Sequence, residues 1–456
     1  MHHTDSEAQR RKMLETPIPS LVGQLAVPTI ASMLVTSIYN MADTYFVSHI
    51  STSASGAVGI VFSIMALIQA VGFTVGVGSS SIASRLLGQG RQEEADAYAS
   101  SAVLMALVLG LLLSIPGLLQ LERFIWLLGS TDTIFPYAKQ YAFFILMGAP
   151  IMTLAFTLNN LLRWQGRANL AVVGLTIGGI LNILLDPLFI FQFNWGIAGA
   201  GAATLLSQTV SMVILLSFFL LKKSDLHLSV RHISHSPSLY FSIFKQGMPS
   251  LFRQSIMGFS TMATNYSARL YGDAAVAALA IVNKVFMLVQ SVTIGFGQGF
   301  QPVLGYNYGA GRTDRVKEAV FFSLKACTTF LVAASVIGFI LTPNIISMFR
   351  PDDQDVIDIG IKAFRYQCLT LPLAATTTFS NMLFQALGKF WRATFLAICR
   401  QGIYIPLVTL LVQTLGLPGL EMSQALADLL TFVLCSIITF LFFKRELGHE
   451  KKPTIE

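Results

Sequence analysis

Charge is scarce in this sequence. Only 12% of its 456 residues are charged, whereas 54% are hydrophobic. About a quarter of the residues of a soluble domain carry charge. The deficit therefore excludes an ordinary soluble protein and favours a chain that crosses a membrane many times.

Cysteine and catalytic motifs are scarce as well. The four cysteines lie far apart in apolar segments without metal or redox spacing, so we expect them to pack among apolar side chains. No nucleophile triad, zinc motif or nucleotide-binding loop occurs. No cleavable signal peptide is apparent, because the basic stretch at 10–12 precedes an apolar run too long for one. The sequence predicts a protein that is not an enzyme and has no resident cofactor.

Long apolar runs, by contrast, recur from end to end. Each approaches the roughly 20 residues that cross a bilayer, and the alternating segments of an outer-membrane barrel are absent. The sequence predicts an all-α polytopic membrane protein with twelve transmembrane helices. They lie near residues 21–47, 56–86, 96–121, 134–161, 169–193, 197–221, 240–270, 275–305, 317–342, 357–386, 392–414 and 419–443.

The net charge of +7 is concentrated at the termini and in every second connection between helices. Lys and Arg gather at 10–12, 91, 163–167, 222–231, 312–317, 389–392 and 444–452, and the other connections are nearly free of them. The positive-inside rule then places both termini in the cytoplasm. Such a charge distribution reports topology, so we expect no nucleic-acid partner.

The two halves of the chain repeat each other at an offset of 221 residues. Pairs that share this offset include Gly76 with Gly297, Gly78 with Gly299, Gly88 with Gly309, and Asn160 with Asn381. After a slip of one residue, "GIAG" at 196 also matches "GLPG" at 416. A constant offset over several helices indicates duplication. Because each unit has an even number of helices, the repeats are parallel, with an axis along the membrane normal.

The repeat predicts two pseudo-symmetric six-helix bundles. We expect a cytoplasmic segment at 1–16, an N-lobe at 17–221, a cytoplasmic linker at 222–238, a C-lobe at 239–445 and a cytoplasmic tail at 446–456. The linker histidines His227, His232 and His235 are irregularly spaced and expected to be solvated. Two bundles with a cleft between them favour alternating access over a channel, with substrate bound near mid-membrane.

Two acids lie well inside helices of the first half, and no base lies at comparable depth. Helix direction and a rise of about 1.5 Å per residue place them at one level with three polar residues. The set is Asp43, Tyr141, Asn182, Asp186 and Thr204. Two nearby carboxylates in low dielectric need a proton or a cation, and a set of oxygen ligands suits Na+ or H+. A hydrogen-bond network that only packs the helices is the alternative.

The second half is more basic. Its intramembrane ionisable residues are Arg253, Lys284, Lys325, Arg400 and Asp428, and Thr264 stands where the first half has Asp43. A salt bridge between Arg400 and Asp428 is one interpretation, and contact with an anionic part of the substrate is the other.

Methionine and proline mark two further features. Met33 and Met152 are among several methionines that could line a substrate cleft, because methionine is flexible and polarizable. Pro28 interrupts the first helix and predicts a hinge there.

The span from about 17 to 445 resembles the multidrug and toxic compound extrusion (MATE) family, most of all its DinF/MepA-type bacterial branch. The resemblance rests on Pro28, "YNMADTYFV" at 39–47, the two Gly-x-Gly-Arg turns, "QGFQPVLGYNYGAGR", "NILLDP" and "GIAGAGAAT". It implies a MOP-type antiporter of two six-helix lobes in the bacterial inner membrane, exchanging drugs or toxic organic cations for H+ or Na+. We expect a monomer in contact with membrane lipids.

The resemblance also implies a site. Asp43, Asn182, Asp186 and Thr204 match a first-lobe cation or proton site, with Tyr39, Tyr141 and Asn159 as companions in the lobe cavity. The NorM-type branch uses acids in helices 7 and 10, where this chain has Thr264, Asn265 and Asn381. That departure argues against a second-lobe ion site. The alternative function is a flippase for lipid-linked or polysaccharide precursors, whose anionic head group the second-half bases would hold.

Overall fold

The computed structural model describes residues 2–349 and 353–447. These residues are 89% helical and contain no strand, which confirms the predicted all-α class. Of the predicted tail at 446–456, residues 448–456 lie outside the described ranges.

The first half contains the six predicted spans and two further helices. In chain order they are α1 (His2–Glu15), α2 (Ile18–Ser48), α3 (Thr52–Gln89), α4 (Gln92–Leu119), α5 (Leu121–Leu127), α6 (Phe135–Trp164), α7 (Ala168–Pro187) and α8 (Ile197–Leu220). The additional helices are α1 and α5. At Pro187 the α-helical pattern ends, and the chain continues as a π-helical turn over Leu188–Gln192.

The second half repeats the pattern with one interruption. Its helices are α9 (Pro237–Arg269), α10 (Asp273–Gly309), α11 (Thr313–Phe349), α12 (Gln354–Thr370), α13 (Ala374–Ala386), α14 (Phe390–Leu415) and α15 (Leu417–Phe442). The predicted tenth span is divided between α12 and α13 by a 3-10 turn at Leu371–Leu373. Pro372 in that turn has no backbone N–H and cannot continue the α-helical ladder.

Ten helices of the described chain are long and apolar enough to cross a bilayer. The predicted spans outside this set are α9 and the α12–α13 pair. α9 is too polar, with Lys245 and Arg253 among its residues. α12 and α13 have 17 and 13 residues and are too short to cross singly. Both exceptions follow from local sequence rather than from a different fold.

The described chain divides into two compact units. The first contains the chain up to Leu251 together with Gln298–Gly311, and the second contains Phe252–Gly297 and the chain from Arg312 onward. The first unit thus includes the beginning of α9 and the end of α10, which the sequence-based division at residue 239 assigns to the C-lobe. That division into lobes stays a prediction.

Glycines let α3 and α10 touch backbone to backbone within the first unit. A Cβ on Gly88 would lie 2.3 Å from the carbonyl oxygen of Tyr306, and one on Gly309 would lie 2.1 Å from that of Arg85. The two contacts are related by the offset of 221 residues. Only glycine permits such an approach. The duplication found in the sequence is therefore also present in the packing of α3 on α10.

The sequence repeat needs one correction. Asn159 Nδ2 donates to the carbonyl of Ala171 at 2.9 Å, and Asn381 Nδ2 donates to that of Ala393 at 2.7 Å. These equivalent bonds pair Asn381 with Asn159, so its predicted pairing with Asn160 is wrong by one residue. The offset has changed to 222 here because the halves differ in length between α3 and α6.

The first part of the linker is packed against the first unit. Ser224, Asp225 and Leu226 are buried. The side-chain oxygen of Gln165 accepts bonds from the N–H groups of Asp225 and Leu226 at 2.7 and 3.2 Å. Asp225 also pairs with Arg167 at 2.8 Å. The linker can lie buried here because the side chain of Gln165, in place of water, accepts hydrogen bonds from the linker backbone.

The His227 side chain is 40% exposed, in part as predicted, and is also in contact with Asp96. Its backbone N–H donates to Asp96 Oδ1 at 2.8 Å, and its Nδ1 lies 3.3 Å from Asp96 Oδ2. The linker is thereby attached to the beginning of α4.

The α1 helix docks on the same face of the first unit. The Arg10 guanidinium donates to the carbonyl of Gly88 at 3.0 Å. Asn307 Nδ2 donates to the carbonyl of Met13 at 3.2 Å, and the Met13 side chain is fully buried. The predicted N-terminal segment at 1–16 is therefore largely a docked helix.

Candidate functional site

Close packing of α2 against α7 brings the two acids of the first half together. Gly179 on α7 has no side chain, and a Cβ there would lie 3.1 Å from Val35 Cγ1 and 3.4 Å from Tyr39 Cδ1 on α2. On α7, Asp186 follows Gly179 by about two turns, and on α2, Asp43 follows Tyr39 by about one turn. The two carboxylates therefore lie at the same end of this helix pair.

Of the two carboxylate oxygens of Asp43, one has a hydrogen-bond partner in the described structure and the other does not. Its side chain is 9% exposed, and its Oδ2 accepts a hydrogen bond from the Tyr141 hydroxyl at 3.4 Å. Its Oδ1 is buried and has no hydrogen-bond partner in the described structure. Tyr141 is itself fully buried in the apolar core of the first unit. One carboxylate oxygen thus remains available to a proton or a cation.

Asp186 is arranged in the same way and is more completely buried. The residue is completely buried, and its Oδ1 accepts a bond from Asn182 Nδ2, one turn earlier, at 3.3 Å. Within the described part of the chain its Oδ2 has no partner. Pro187 and the π-helical turn follow directly, so the carboxylate lies where regular helix ends.

Tyr141 links the two carboxylates. It interacts electrostatically with both Asp43 and Asp186, and its hydroxyl also faces Thr204 on α8. Neither carboxylate has a Lys, Arg or His nitrogen within 4 Å among the residues described. The predicted set of Asp43, Tyr141, Asn182, Asp186 and Thr204 is therefore brought together without a base.

The remaining first-half residues are placed less uniformly. Tyr39 lies beside Gly179, next to the carboxylates. Asn159 is about five turns from Tyr141 along α6 and uses its amide to bond Ala171. Met33 Sδ lies 3.7 Å from Gln298 Nε2. Met152 is 4% exposed and belongs to the apolar core. Of these four, only Tyr39 adjoins the acidic cluster.

Two serines belong beside this cluster and were not predicted. Ser207 and Ser211 follow Thr204 at three and seven residues along α8, and each is 1% exposed. Their hydroxyls lack partners in the described structure. A Cβ on Gly178 of α7 would lie 2.9 Å from Ser211 Cβ. The spacing, which places all three hydroxyls on one helix face, is the signal that could have found them.

The predicted ion pair of the second half is confirmed. Arg400 Nε donates to Asp428 Oδ1 at 3.1 Å, and Gln424 Nε2 donates to the same oxygen at 3.2 Å. At the position equivalent to Asp43, the Thr264 hydroxyl lies 2.7 Å from that of Tyr404. The second half therefore replaces a carboxylate–tyrosine contact with a neutral one.

The other bases of the second half are separate from this pair. Among the described residues, Arg253 and Lys284 form no ion pair. The backbone carbonyl of Lys325 accepts a hydrogen bond from the Thr329 hydroxyl at 2.8 Å. The sequence also overlooks Glu421 on α15, which is 4% exposed and whose Oε1 lacks a partner in the described structure. It lies near the beginning of α15, within the predicted twelfth span.

Two parallel repeats of membrane-spanning helices, with uncompensated carboxylates buried in one of them, define a polytopic membrane transporter. The family model described as MatE matches residues 28–188 and 249–410, one match in each half. The chain belongs to the MATE family, whose members are transporters rather than enzymes.

Curated relatives match over nearly the whole length. The chain is 23% identical over 432 residues to the multidrug export protein MepA of Staphylococcus aureus (strain MSSA476), covering 94% of this chain and 95% of the relative. It is 24% identical to MepA of Staphylococcus haemolyticus (strain JCSC1435), covering 97% of each.

Solved structures agree in fold. A crystal structure of MATE in complex with MaL6 is 25% identical, with a TM-score of 0.91 over 96% of this chain and 99% of that one. An outward-facing multidrug resistance MATE transporter of the MOP superfamily is also 25% identical, with a TM-score of 0.91 over 96% and 98% of the chains.

Proposed function

We propose that this protein is a secondary multidrug antiporter that exports amphipathic or cationic small molecules in exchange for H+ or Na+. One observation carries the proposal: Asp43 and Asp186 each keep one buried oxygen without a partner in the described structure. Relatives named multidrug export proteins support the export of drugs. We further propose a monomer in the bacterial inner membrane with both termini in the cytoplasm.

The chemistry of the cluster suits a hard cation. Its candidate ligands are the oxygens of Asp43, Asn182, Asp186 and Thr204, and oxygen ligands select Na+ or H+ over softer metals. Two carboxylates that interact in low dielectric repel each other unless a positive charge joins them. Ion binding therefore stabilises the packing of α2 on α7, and ion release weakens it.

This difference in packing can drive alternating access. α2 runs unbroken through Pro28, which removes one backbone donor from its ladder. We propose that α2 bends there when the charge of the cluster changes, and that Met33, about one turn further along, responds with it. Tyr39 would respond both to the charge of the cluster and to the bending of α2, since it lies between Gly179 and Asp43.

The proposal is tested by drug efflux from proteoliposomes under a pH gradient or a Na+ gradient, imposed one at a time. Asp43→Asn and Asp186→Asn should each abolish ion-driven efflux, because an amide can neither take up the proton nor balance Na+. Asp132→Asn, which changes an exposed acid in a loop, should leave efflux unchanged. Full ion-driven efflux by both cluster variants would refute the mechanism.

A flippase for lipid-linked or polysaccharide precursors is the second candidate. Arg253 and Lys284 favour it, because neither has an ion-pair partner among the described residues and both could hold an anionic head group. Arg253→Glu and Lys284→Glu should then abolish flipping of a pyrophosphate-linked lipid. If both variants instead retain export of a cationic dye at the wild-type rate, and no flipping occurs in the wild type, the antiporter is favoured.

A further inference from the structure

A cavity of about 560 Å³ lies in the first unit, away from the acidic cluster. Its volume is within the range of about 300–1,000 Å³ that is usual for ligand pockets. The walls come from α3, α4, α5 and α6 and are almost wholly apolar. They include Ile64, Leu67, Leu112, Pro116, Phe124 and Leu146.

The cavity exists because α4 ends early. Pro116 lies inside the last turn of α4, and the chain turns at Gln120 into the seven-residue α5. Gly117 brings α4 close to α6, since a Cβ there would lie 2.8 Å from Leu146 Cδ2. Next to this close approach, α5 leaves the line of α4 and opens a space that no side chain fills.

The cavity opens toward lipid at one membrane face. Leu112 and Leu127 are 60% and 76% exposed, as expected of side chains that face acyl chains. The other end of α4 is attached to the linker, since Gln92 Nε2 donates to the Asp225 carbonyl at 2.7 Å. α5 therefore lies at the opposite face, where Trp126 stacks on Phe135 like the aromatic residues of a membrane interface.

One positive charge stands at the mouth of this apolar space. Arg123 and Gln120 both line the cavity. The adjacent acid, Glu122, is already paired with Lys139 at 2.5 Å. Arg123 itself forms no ion pair with any residue that the structure describes. An apolar slot with an unpaired guanidinium at the interface complements a molecule with a long hydrocarbon chain and a phosphate.

We propose that this cavity is a binding site for an anionic glycerophospholipid, with an acyl chain between α3, α4 and α6 and the phosphate on Arg123. A guanidinium binds a phosphate through several N–H donors in one plane. The same charge repels a cationic drug, so the site differs in selectivity from the transport pathway. Gln120 offers a neutral donor to the glycerol esters.

The test measures lipid binding to the purified full-length protein by native mass spectrometry. Phosphatidylglycerol should bind more tightly than phosphatidylcholine with identical acyl chains. Arg123→Gln should weaken phosphatidylglycerol binding by about fivefold, the effect of one basic residue near a charged lipid surface, and weaken phosphatidylcholine binding less, because its choline cation offsets the charge of the phosphate. Arg269→Gln, which alters an exposed arginine that does not line the cavity, should change neither.

Two further measurements distinguish the contribution of the acyl chain to binding from that of the phosphate. Leu112→Trp or Leu67→Trp, each at a partly exposed wall position, should fill the slot and weaken binding of both lipids. Glycerol 3-phosphate should fail to displace the lipid, because it lacks the chain. The proposal is overturned if Arg123→Gln and Arg269→Gln have equal effects, if both Trp variants bind lipid normally, or if glycerol 3-phosphate displaces the lipid.

Discussion

The hydroxyl of Tyr141 on α6 donates to Oδ2 of Asp43 on α2 across 3.4 Å, and both side chains are buried. This contact joins two helices that no short connection ties together. It also occupies one oxygen of Asp43 and leaves the other open. Tyr141 is thus placed to influence both the packing of α2 and the affinity of Asp43 for an ion.

Tyr141→Phe should change ion coupling while preserving the fold. Removing the hydroxyl takes away a hydrogen bond to a charged group, worth about 1.5–3 kcal/mol. The Asp43 carboxylate should then hold its cation more tightly, lowering the ion concentration for half-maximal efflux about tenfold or more. Efflux measured against a series of ion gradients checks this, with Tyr137→Phe on the same helix as the control. Equal responses of the two variants would count against the role of Tyr141.

Gly309→Ala should destabilise the crossing of α3 and α10. The new methyl group would lie 2.1 Å from the carbonyl oxygen of Arg85, so the helices must separate. Overpacking of this kind costs about 1–3 kcal/mol. Gly258→Ala is the matched control, because a Cβ at that helical position meets nothing within 4 Å. Thermal unfolding in detergent should show a lower midpoint for the first variant and an unchanged or higher one for the second.

Arg400 and Asp428 should show strong coupling in a double-mutant cycle. The side chains are 29% and 13% exposed, so replacing either with a neutral analogue leaves a partly buried charge without its partner. The interaction energy between Arg400→Gln and Asp428→Asn should be about 0.5–3 kcal/mol in thermal or denaturant unfolding. Additive effects would mean that the pair contributes nothing beyond its separate members.

Gln165→Ala should release the linker. The substitution removes the acceptor for Ser224, Asp225 and Leu226, and leaving buried donors without partners costs about 1–3 kcal/mol. Trypsin should then cut faster after Lys222 and Lys223, as followed by gel electrophoresis. Gln140→Ala, at an exposed position on α6, the helix that ends just before Gln165, should not change the cleavage rate. Unchanged cleavage in Gln165→Ala would show that other contacts hold the linker.

Much of the site could be expected from depth along the helices. The five oxygen-bearing residues of the first half were predicted at one level because a helix rises by a constant amount per residue. Asn159 was expected from the family resemblance and Met152 from the properties of methionine, and neither adjoins the cluster. Ser207, Ser211 and Glu421 were missed because the sequence does not show that their side-chain oxygens are buried without hydrogen-bond partners among the described residues.

The sequence by itself determined the membrane-spanning helices, their duplication and the acids buried within them. These follow from local rules, because a bilayer requires long apolar segments whose backbone bonds are satisfied internally. Only the tertiary structure decided that Asp43 meets Tyr141, that Asn381 corresponds to Asn159, and that Gln165 holds the linker. Contacts of this kind depend on how closely particular backbones approach, and glycines such as Gly88, Gly179 and Gly309 set that distance between segments far apart in the chain.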